Sequence, residues 1–341
     1  SGEQVTAGLL ALHLKSQGVE ARSFQGWQVA LETDDNHGSA KITGIPPENL
    51  LATVEAGIVA VVAGFQGVSG DNRIATLGRG GSDTTAVALA AALGACRCDI
   101  YTDVDGVYTT DPRIVATATR RQALSYEEML EMASVGAKVL QTRSVGLGMA
   151  YGVPIRVLSS LAEPEDTDEG TLITSEEEIM EQQIVTAVVP SVGEAKISLL
   201  GVPDQPGRSA LIFSLLASSN VNIDMIVQSP ARQGQEANMS FTLSEKDLSL
   251  AMEKLTLAKA DIGFQDLVAN QNVAKVSVIG IGMKSHTGVA AKAFEILADR
   301  KINIENISTS EIKISVLISA EYTELAVRAL HEAFGLSTAK A

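Results

Sequence analysis

Apolar and polar positions recur along this chain with two different periods. Val5, Leu9, Leu10, Leu12 and Leu14 fall near one stripe and predict a helix over roughly residues 3–17. A strand candidate follows at Trp27–Leu31, then a helix opened by a Pro-Pro pair near Pro46–Glu55, then an uninterrupted apolar strand at Ile58–Ala63. That strand runs into a glycine-rich loop, Gly64–Gly81, and a helix of small residues, Ser82–Ala95. A strand at Asp99–Tyr101, a helix near Tyr126–Ala133 and a strand at Pro154–Leu158 complete the pattern. Continuous apolar strands alternating with helices predict an α/β domain whose mainly parallel sheet is covered on both faces. Ligands of such sheets sit beyond the carboxyl ends of the strands, which directs attention to the loops after Ala63 and Tyr101.

The second half repeats itself. Ala195–Gly201 matches Ala274–Gly280 at an offset of 79, and Asn222, Ile223, Asp224 and Ile226 match Asn303, Ile304, Glu305 and Ile307 at an offset of 81. Each copy reads as strand, glycine-bearing loop, helix, an Asn-Ile-acidic turn and a second strand, with a later strand at Asn238–Leu243 or Lys313–Ile318. Two such α+β modules are expected to pair sheet against sheet. An acidic run from Glu163 to Gly170 and the Glu176–Glu178 triplet read as a hydrated linker. The expected division is therefore residues 1–174, 175–265 and 266–341.

Composition narrows the function. With 26 Lys+Arg against 41 Asp+Glu the net charge is −15, which disfavours nucleic acid as a partner, because phosphate neutralisation needs clustered bases. The longest aliphatic run is less than half of the ~20 residues that a membrane span requires. Cys96 and Cys98 are too close for an ordinary disulfide and too few for a zinc site, so no metal site is expected from them. The picture is of a cytoplasmic multidomain protein. Its first residue is Ser1 at the start of a helical pattern, which suggests a processed product or a fragment.

Two loops carry candidate chemistry. In Thr76–Thr85, Gly78, Gly80 and Gly81 let backbone amides approach an anion, Arg79 can grip a carboxylate or phosphate with a two-pronged bond, and Ser82 and Asp83 are good helix N-caps. The Gly-Lys-Ser/Thr ending of a Walker loop is absent. In Ile100–Arg113, carboxylates, hydroxyls, Tyr108 and Arg113 make a mixture suited to a nucleotide, or simply a turn-rich loop.

Gly78–Ala90, Tyr101–Arg113 and Gly136–Leu140, together with Gly2-Glu3, Phe24–Gln28 and Ala63–Gly67, resemble aspartate kinases of the amino-acid kinase superfamily. The duplicated half resembles that family's tandem ACT domains, most closely at Met283–His286 and Ile307–Glu311. The resemblance implies a three-layer αβα kinase domain followed by two ferredoxin-like ACT domains, and ATP-dependent phosphorylation of the L-aspartate side-chain carboxylate with Mg²⁺ as companion ion. It places Arg79, Asp83 and Lys138 at the reaction. Glu3 is expected on the substrate ammonium, Arg79 on its α-carboxylate, and Gly80, Gly81 and Ser82 around them. Thr102, Asp103, Tyr108, Thr109, Thr110, Asp111, Pro112 and Arg113, with Lys138, are expected on ATP. Lysine and/or threonine are expected as effectors near Asp204, Asn222, Asp224, Gln228, Asn238, Gly288, Val289, Asn303 and Glu305, in a homo-oligomer built through the ACT domains. The family's Lys-x-Gly-Gly loop has no counterpart here, so the chain as given is expected to turn over poorly. The alternatives are a non-catalytic amino-acid-binding fragment or another amino-acid kinase.

Overall fold

The computed structural model describes residues 1–137, 139–163, 169–179, 183–229 and 236–337. They fall into two units, Ser1–Tyr108 with Arg120–Gln182, and Thr109–Thr119 with Gln183–Ala341. No described helix is long and apolar enough to cross a membrane.

The first unit runs α1 (Gly2–Ser16), β1 (Ala21–Phe24), β2 (Glu32–Thr33), β3 (Ile42–Gly44), α2 (Glu48–Glu55), β4 (Val59–Val62), β5 (Gln66–Val68), β6 (Ile74–Thr76), α3 (Gly81–Ala92), β7 (Cys98–Thr102), β8 (Ala123–Ser125), α4 (Tyr126–Ser134), α5 (Thr142–Tyr151), β9 (Ile155–Ser159) and β10 (Thr171–Thr174). β1 pairs with β4, and β7 with β9, both parallel. β10 then joins β9 antiparallel and β8 parallel, while β3-β2-β5-β6 forms a small mixed sheet. α4 begins with a complete capping box between Ser125 and Glu128, which satisfies amides that have no partner inside the helix.

Two local expectations are corrected. Trp27–Leu31 is a turn, closed by Gln28 and Val29 amides donating to Gln25 O. Val29 and Leu31 are buried all the same, so their apolar character reports burial and not a strand. The stretch 64–81 is a hairpin, with β5 and β6 paired from Gln66↔Thr76 to Val68↔Ile74. A strand glycine hid it: a Cβ on Gly67 would lie 2.6 Å from Leu31 O, so only glycine lets the two segments pack. Cys96 and Cys98 are free thiols, the first exposed and the second buried; burial pushes the Cys98 thiol up to about 11.

The second unit contains β11 (Ala187–Pro203), α6 (Arg208–Ser218), β12 (Ile223–Ser229), β13 (Glu236–Ser244), α7 (Leu248–Leu257), α8 (Lys259–Ile262), β14 (Asp266–Ile279), α9 (Val289–Asp299), β15 (Ile304–Thr309), β16 (Lys313–Ser319) and α10 (Thr323–Ala333). All its strands join one sheet in the order β12-β13-β11-β14-β16-β15. The modules are thus continuous through hydrogen bonds and are not two separate stacked sheets, as the sequence suggested. Nor are they consecutive segments. β11 and β14 are antiparallel from Ala187↔Ile279 to Leu200↔Asp266, and each strand serves both modules. Val185 and Val188 pack into the core of the second copy with Val276, Leu297, Ile318 and Leu330. Leu267 packs into that of the first with Ile197, Ile212, Phe241 and Leu255. The expected cut at residues 265/266 therefore divides a module.

Alternation along the strands sends one set of side chains to these helix-covered cores and the other set to the opposite face. That opposite face carries Lys196 and Ser198 on β11, Ser240 and Thr242 on β13, Lys275 and Ser277 on β14 and Ser315 on β16, interspersed with buried apolar Ala187, Val189, Ile279 and Leu317. The edge strands β12 and β15 approach one another, so the sheet curls around this face. Thr242, Lys275, Ser277 and Ser315 are buried there.

Candidate active site and effector loops

The hairpin register sets Phe65 beside Leu77, whose amide donates to Phe65 O at 3.0 Å. The chain then turns into α3 through Gly78–Gly81, with Gly81 N–H donating to Gly78 O at 3.0 Å. Gly80 is the helix N-cap at φ 63°, so Ser82 and Asp83 lie inside the first turn instead of capping it. Gly80 has a second reason to be glycine, since its Cβ would overlap Gln141 Cγ; on Gly81 a Cβ would fall 2.7 Å from Phe65 Cδ2. Phe65 itself holds a positive φ of 68°, and its amide donates to Thr85 Oγ1 at 3.1 Å.

α1 brings Glu3 to this turn. Ser82 Oγ donates to Glu3 Oε1 at 2.6 Å, and a Cβ on Gly64 would lie 3.2 Å from Glu3 Oε2. Glu3, Gly64 and Ser82 form the polar end of a cleft of about 950 Å³ whose other walls, from Leu10, Leu50, Val59 and Leu89, are apolar. Thr6 and Thr85 also line the cleft, and Glu3 is the charged residue of its lining. Arg79 is exposed at the tip of the turn, with no hydrogen bond or ion pair among the described residues. Asp83 is half-buried, and burial raises its carboxyl above the usual carboxylate range. Lys138 lies outside the described residues.

The expected nucleotide segment divides between the units. In the first, Thr102 ends β7 and Asp103 follows it, with Thr102 Oγ1 donating to Asp103 Oδ1 at 3.2 Å. Tyr108 OH donates to Asp105 Oδ2 at 3.0 Å, and Arg120 Nη1 also reaches that oxygen at 3.3 Å. In the second, Thr109 and Thr110 are buried. Thr109 accepts from Val188 N–H at 2.8 Å and shares a 2.8 Å hydrogen bond with His331 Nε2. Its polar groups are consumed within the second unit, so it is withdrawn from the nucleotide set. Arg113 is exposed and gripped by Asp111 at 2.7 Å, which holds the Asp111 carboxyl below its usual range; Pro112 between them is exposed.

In the duplicated half, α6 and α9 start after Gly207 and Gly288 at φ 92° and 97°, with no side-chain cap on either. The first amide of α6, Arg208 N–H, donates to Gln205 O at 3.3 Å; helix starts without a side-chain cap leave other first-turn amides for an outside acceptor. Val289, the first residue of α9, is buried, whereas Asp204, Asn222, Gln228, Asn238 and Asn303 are exposed. Asn238 Oδ1 accepts from Gly201 N–H at 3.1 Å, and Ser209 Oγ donates to Gln228 at 3.4 Å. The two acids are not free for an incoming ammonium. Asp224 of the first copy binds Lys275 of the second, which also reaches Glu194 at 3.3 Å. Glu305 of the second copy binds Lys196 of the first at 3.3 Å and accepts from Asn270 at 3.2 Å. Lys196 and Lys275 are equivalent positions of the repeat, as are Asp224 and Glu305, so the ion pairs cross between modules reciprocally.

Residues 1–159 match the amino acid kinase family, and residues 197–258 and 276–334 each match the ACT domain. An aspartokinase of Pseudomonas aeruginosa is 52% identical over 98% of this chain and 81% of its own length. The chain belongs to the aspartokinase family. As an aspartate kinase it is a phosphotransferase, and solved aspartokinases share its architecture. Escherichia coli aspartokinase III in complex with aspartate and ADP superposes with a TM-score of 0.81 at 30% identity, over 97% of this chain and 74% of that one. The same enzyme in complex with lysine and aspartate gives 0.76 at 28% identity, over 98% and 74%.

The structure brings Glu3, Ser82, Gly64 and the glycines of the Gly78–Gly81 turn together. The sequence did not single out Arg143, whose guanidinium donates to Leu77 O at 3.0 Å and Ala40 O at 2.8 Å beside that turn. Arg143 lies on a helix that Gly146 and Gly148 disguise.

Proposed function

We propose that the first unit binds L-aspartate between α1 and the Gly78–Gly81 turn and phosphorylates its side-chain carboxylate with ATP. The Glu3–Ser82 contact beside an unpartnered Arg79 carries this assignment. Glu3 receives the ammonium, Ser82 orients the Glu3 carboxylate, and the Arg79 fork takes the α-carboxylate, leaving the side-chain carboxylate as nucleophile. Thr102, Asp103 and Tyr108, at or beyond the end of β7, are assigned to the nucleotide. Among the described residues no group of three or more His, Cys, Asp or Glu is placed to hold a metal. A Mg²⁺ accompanying ATP would take most of its coordination from phosphate oxygens and water. The ion supplies charge neutralisation when bound; the chain's own residues supply alignment, the main requirement of phosphoryl transfer.

The same proposal places the enzyme in the cytoplasm, the compartment of its substrates, and gives the duplicated half an amino-acid effector, lysine and/or threonine. The uncapped starts of α6 and α9 suit its carboxylate. Its ammonium must displace Lys275 from Asp224 or Lys196 from Glu305. Ile226 and Ile307, equivalent in the repeat and 52% and 44% exposed, support assembly of copies through this half.

Arg79→Lys tests the site. Lysine keeps the charge and loses the fork, so the aspartate KM rises at least tenfold while the ATP KM stays within twofold. Equal changes in both would move Arg79 to the nucleotide.

A further inference from the structure

Arg79 is presented by backbone alone. Its side chain has no hydrogen bond or ion pair among the described residues, so its direction follows from the Gly78–Gly81 turn, whose central residues are Arg79 and Gly80. What holds that turn comes from the start of α5. Arg143, half-buried on the first turn of this helix, spans two backbone segments with one guanidinium, Nη1 to Leu77 O at 3.0 Å and Nη2 to Ala40 O at 2.8 Å. Leu77 leads directly into the turn. Ala40 belongs to the segment packed alongside, where its amide donates to Thr76 O at 2.9 Å and Gly38 O lies 3.4 Å from a Cβ built on Gly78. Gln141, two residues before Arg143, fills the space beneath Gly80. The same helix end therefore touches the turn on both sides of Arg79.

The Lys41 amide, helped by the charge of Arg143, holds the nearby Asp34 carboxyl below the usual range, but no carboxylate forms an ion pair with Arg143 among the described residues. Two neutral carbonyls take its hydrogen bonds. A planar fork reaches both oxygens at once, which a lysine ammonium on a flexible stem cannot do with the same geometry. A small displacement at the base of a substrate-gripping turn is costly, because positional errors near an ångström lower rates by about a hundredfold.

We propose that Arg143 is a positioning residue for aspartate, setting the Leu77–Gly81 turn so that Arg79 meets the substrate α-carboxylate. This rests on the assignment of Arg79 above. The test is aspartate and ATP kinetics, with equilibrium aspartate binding, for Arg79→Met, Arg143→Met, Arg143→Lys and the Arg79→Met/Arg143→Met double variant. Arg143→Met raises the aspartate KM and Kd at least tenfold and leaves the ATP KM within twofold. Arg143→Lys, which keeps the bulk and the charge, shows a smaller rise, and free guanidinium ion restores part of the Arg143→Met loss. The double variant binds aspartate no worse than Arg79→Met alone. If Arg79→Met weakens aspartate binding but neither Arg143 variant does, or if they weaken both substrates equally, Arg143 does not position Arg79 and the site assignment stands. If Arg79→Met leaves aspartate binding unchanged, the site assignment itself fails and the inference goes with it.

Discussion

Removing Lys275 should be among the most damaging single changes in the second unit. Its side chain is 5% exposed and lies between Glu194, 12% exposed, and Asp224, 50% exposed. Lys275→Met fills the same volume, so the cost is electrostatic. Glu194 is left nearly buried with one hydrogen bond, from Ser191 Oγ at 2.9 Å, whereas Asp224 can turn to water. Breaking a buried pair from one side costs about 3–5 kcal/mol, and the remaining Ser191 bond and the exposure of Asp224 place this case at about 3 kcal/mol. The equivalent change in the other copy is milder. Lys196 and Glu305 are 17% and 24% exposed, and Glu305 keeps its bond from Asn270, so Lys196→Met should cost about 1 kcal/mol. Urea titration and calorimetric melting of the whole chain measure both. Adding Glu194→Gln to Lys275→Met removes the stranded charge and should recover about 1 kcal/mol or more. A Lys275→Met variant within 1 kcal/mol of the parent, or no worse than Lys196→Met, would refute burial as the source of the asymmetry.

Gly80→Ala combines a left-handed backbone at φ 63° with a Cβ that would overlap Gln141 Cγ. About 1–2 kcal/mol of backbone strain and a further ~1–3 of overpacking are expected, seen as a lowered melting temperature together with weakened aspartate binding. Burial holds the His331 imidazole below its usual range, and its ring faces the Thr109 and Ser337 hydroxyls. The unfolded chain takes up the proton first, so its contribution is complete above the usual imidazole value and lost as pH falls through the folded one. His331→Asn should flatten the fall in melting temperature between pH 7.5 and 5; an unchanged slope would remove His331 from that dependence.

Periodic segments were read correctly wherever one period dominated: α1, β4 and α3 match their predicted spans to within a few residues, whereas the repeat strands expected at Ala195–Gly201 and Ala274–Gly280 belong to longer strands, Ala187–Pro203 and Asp266–Ile279, that begin eight residues earlier. Failures occurred where burial and local geometry diverge. Trp27–Leu31 is apolar because a turn is buried, and β5 is masked by Gly67, whose small size serves packing. α5 carries two glycines, of which Gly148 admits Ile155 to within 2.8 Å of a would-be Cβ. For the site, motifs identify what faces a ligand, and pairings between distant residues stay hidden. Nothing in Asp224 or Glu305 alone announces that a lysine from the other copy occupies it. Thr109 likewise reads as one of a run of nucleotide-loop hydroxyls until its partner, 222 residues away, is seen.

The shared strands have a consequence for synthesis on the ribosome. Residues 185–191 emerge before anything in the first copy, yet their core partners in α9, β16 and α10 begin more than a hundred residues later. The first copy is thus nested inside the second, and its helices and strands are available while the outer module is still missing most of its chain. Closure of the outer module is a late event with high sequence separation, which slows folding and prolongs exposure of an unpaired strand edge. An insertion within residues 204–265 would lengthen that wait without touching the outer core. A stop before α10 would remove Ala326, Val327, Leu330 and Leu336 from the core that Val185 and Val188 enter.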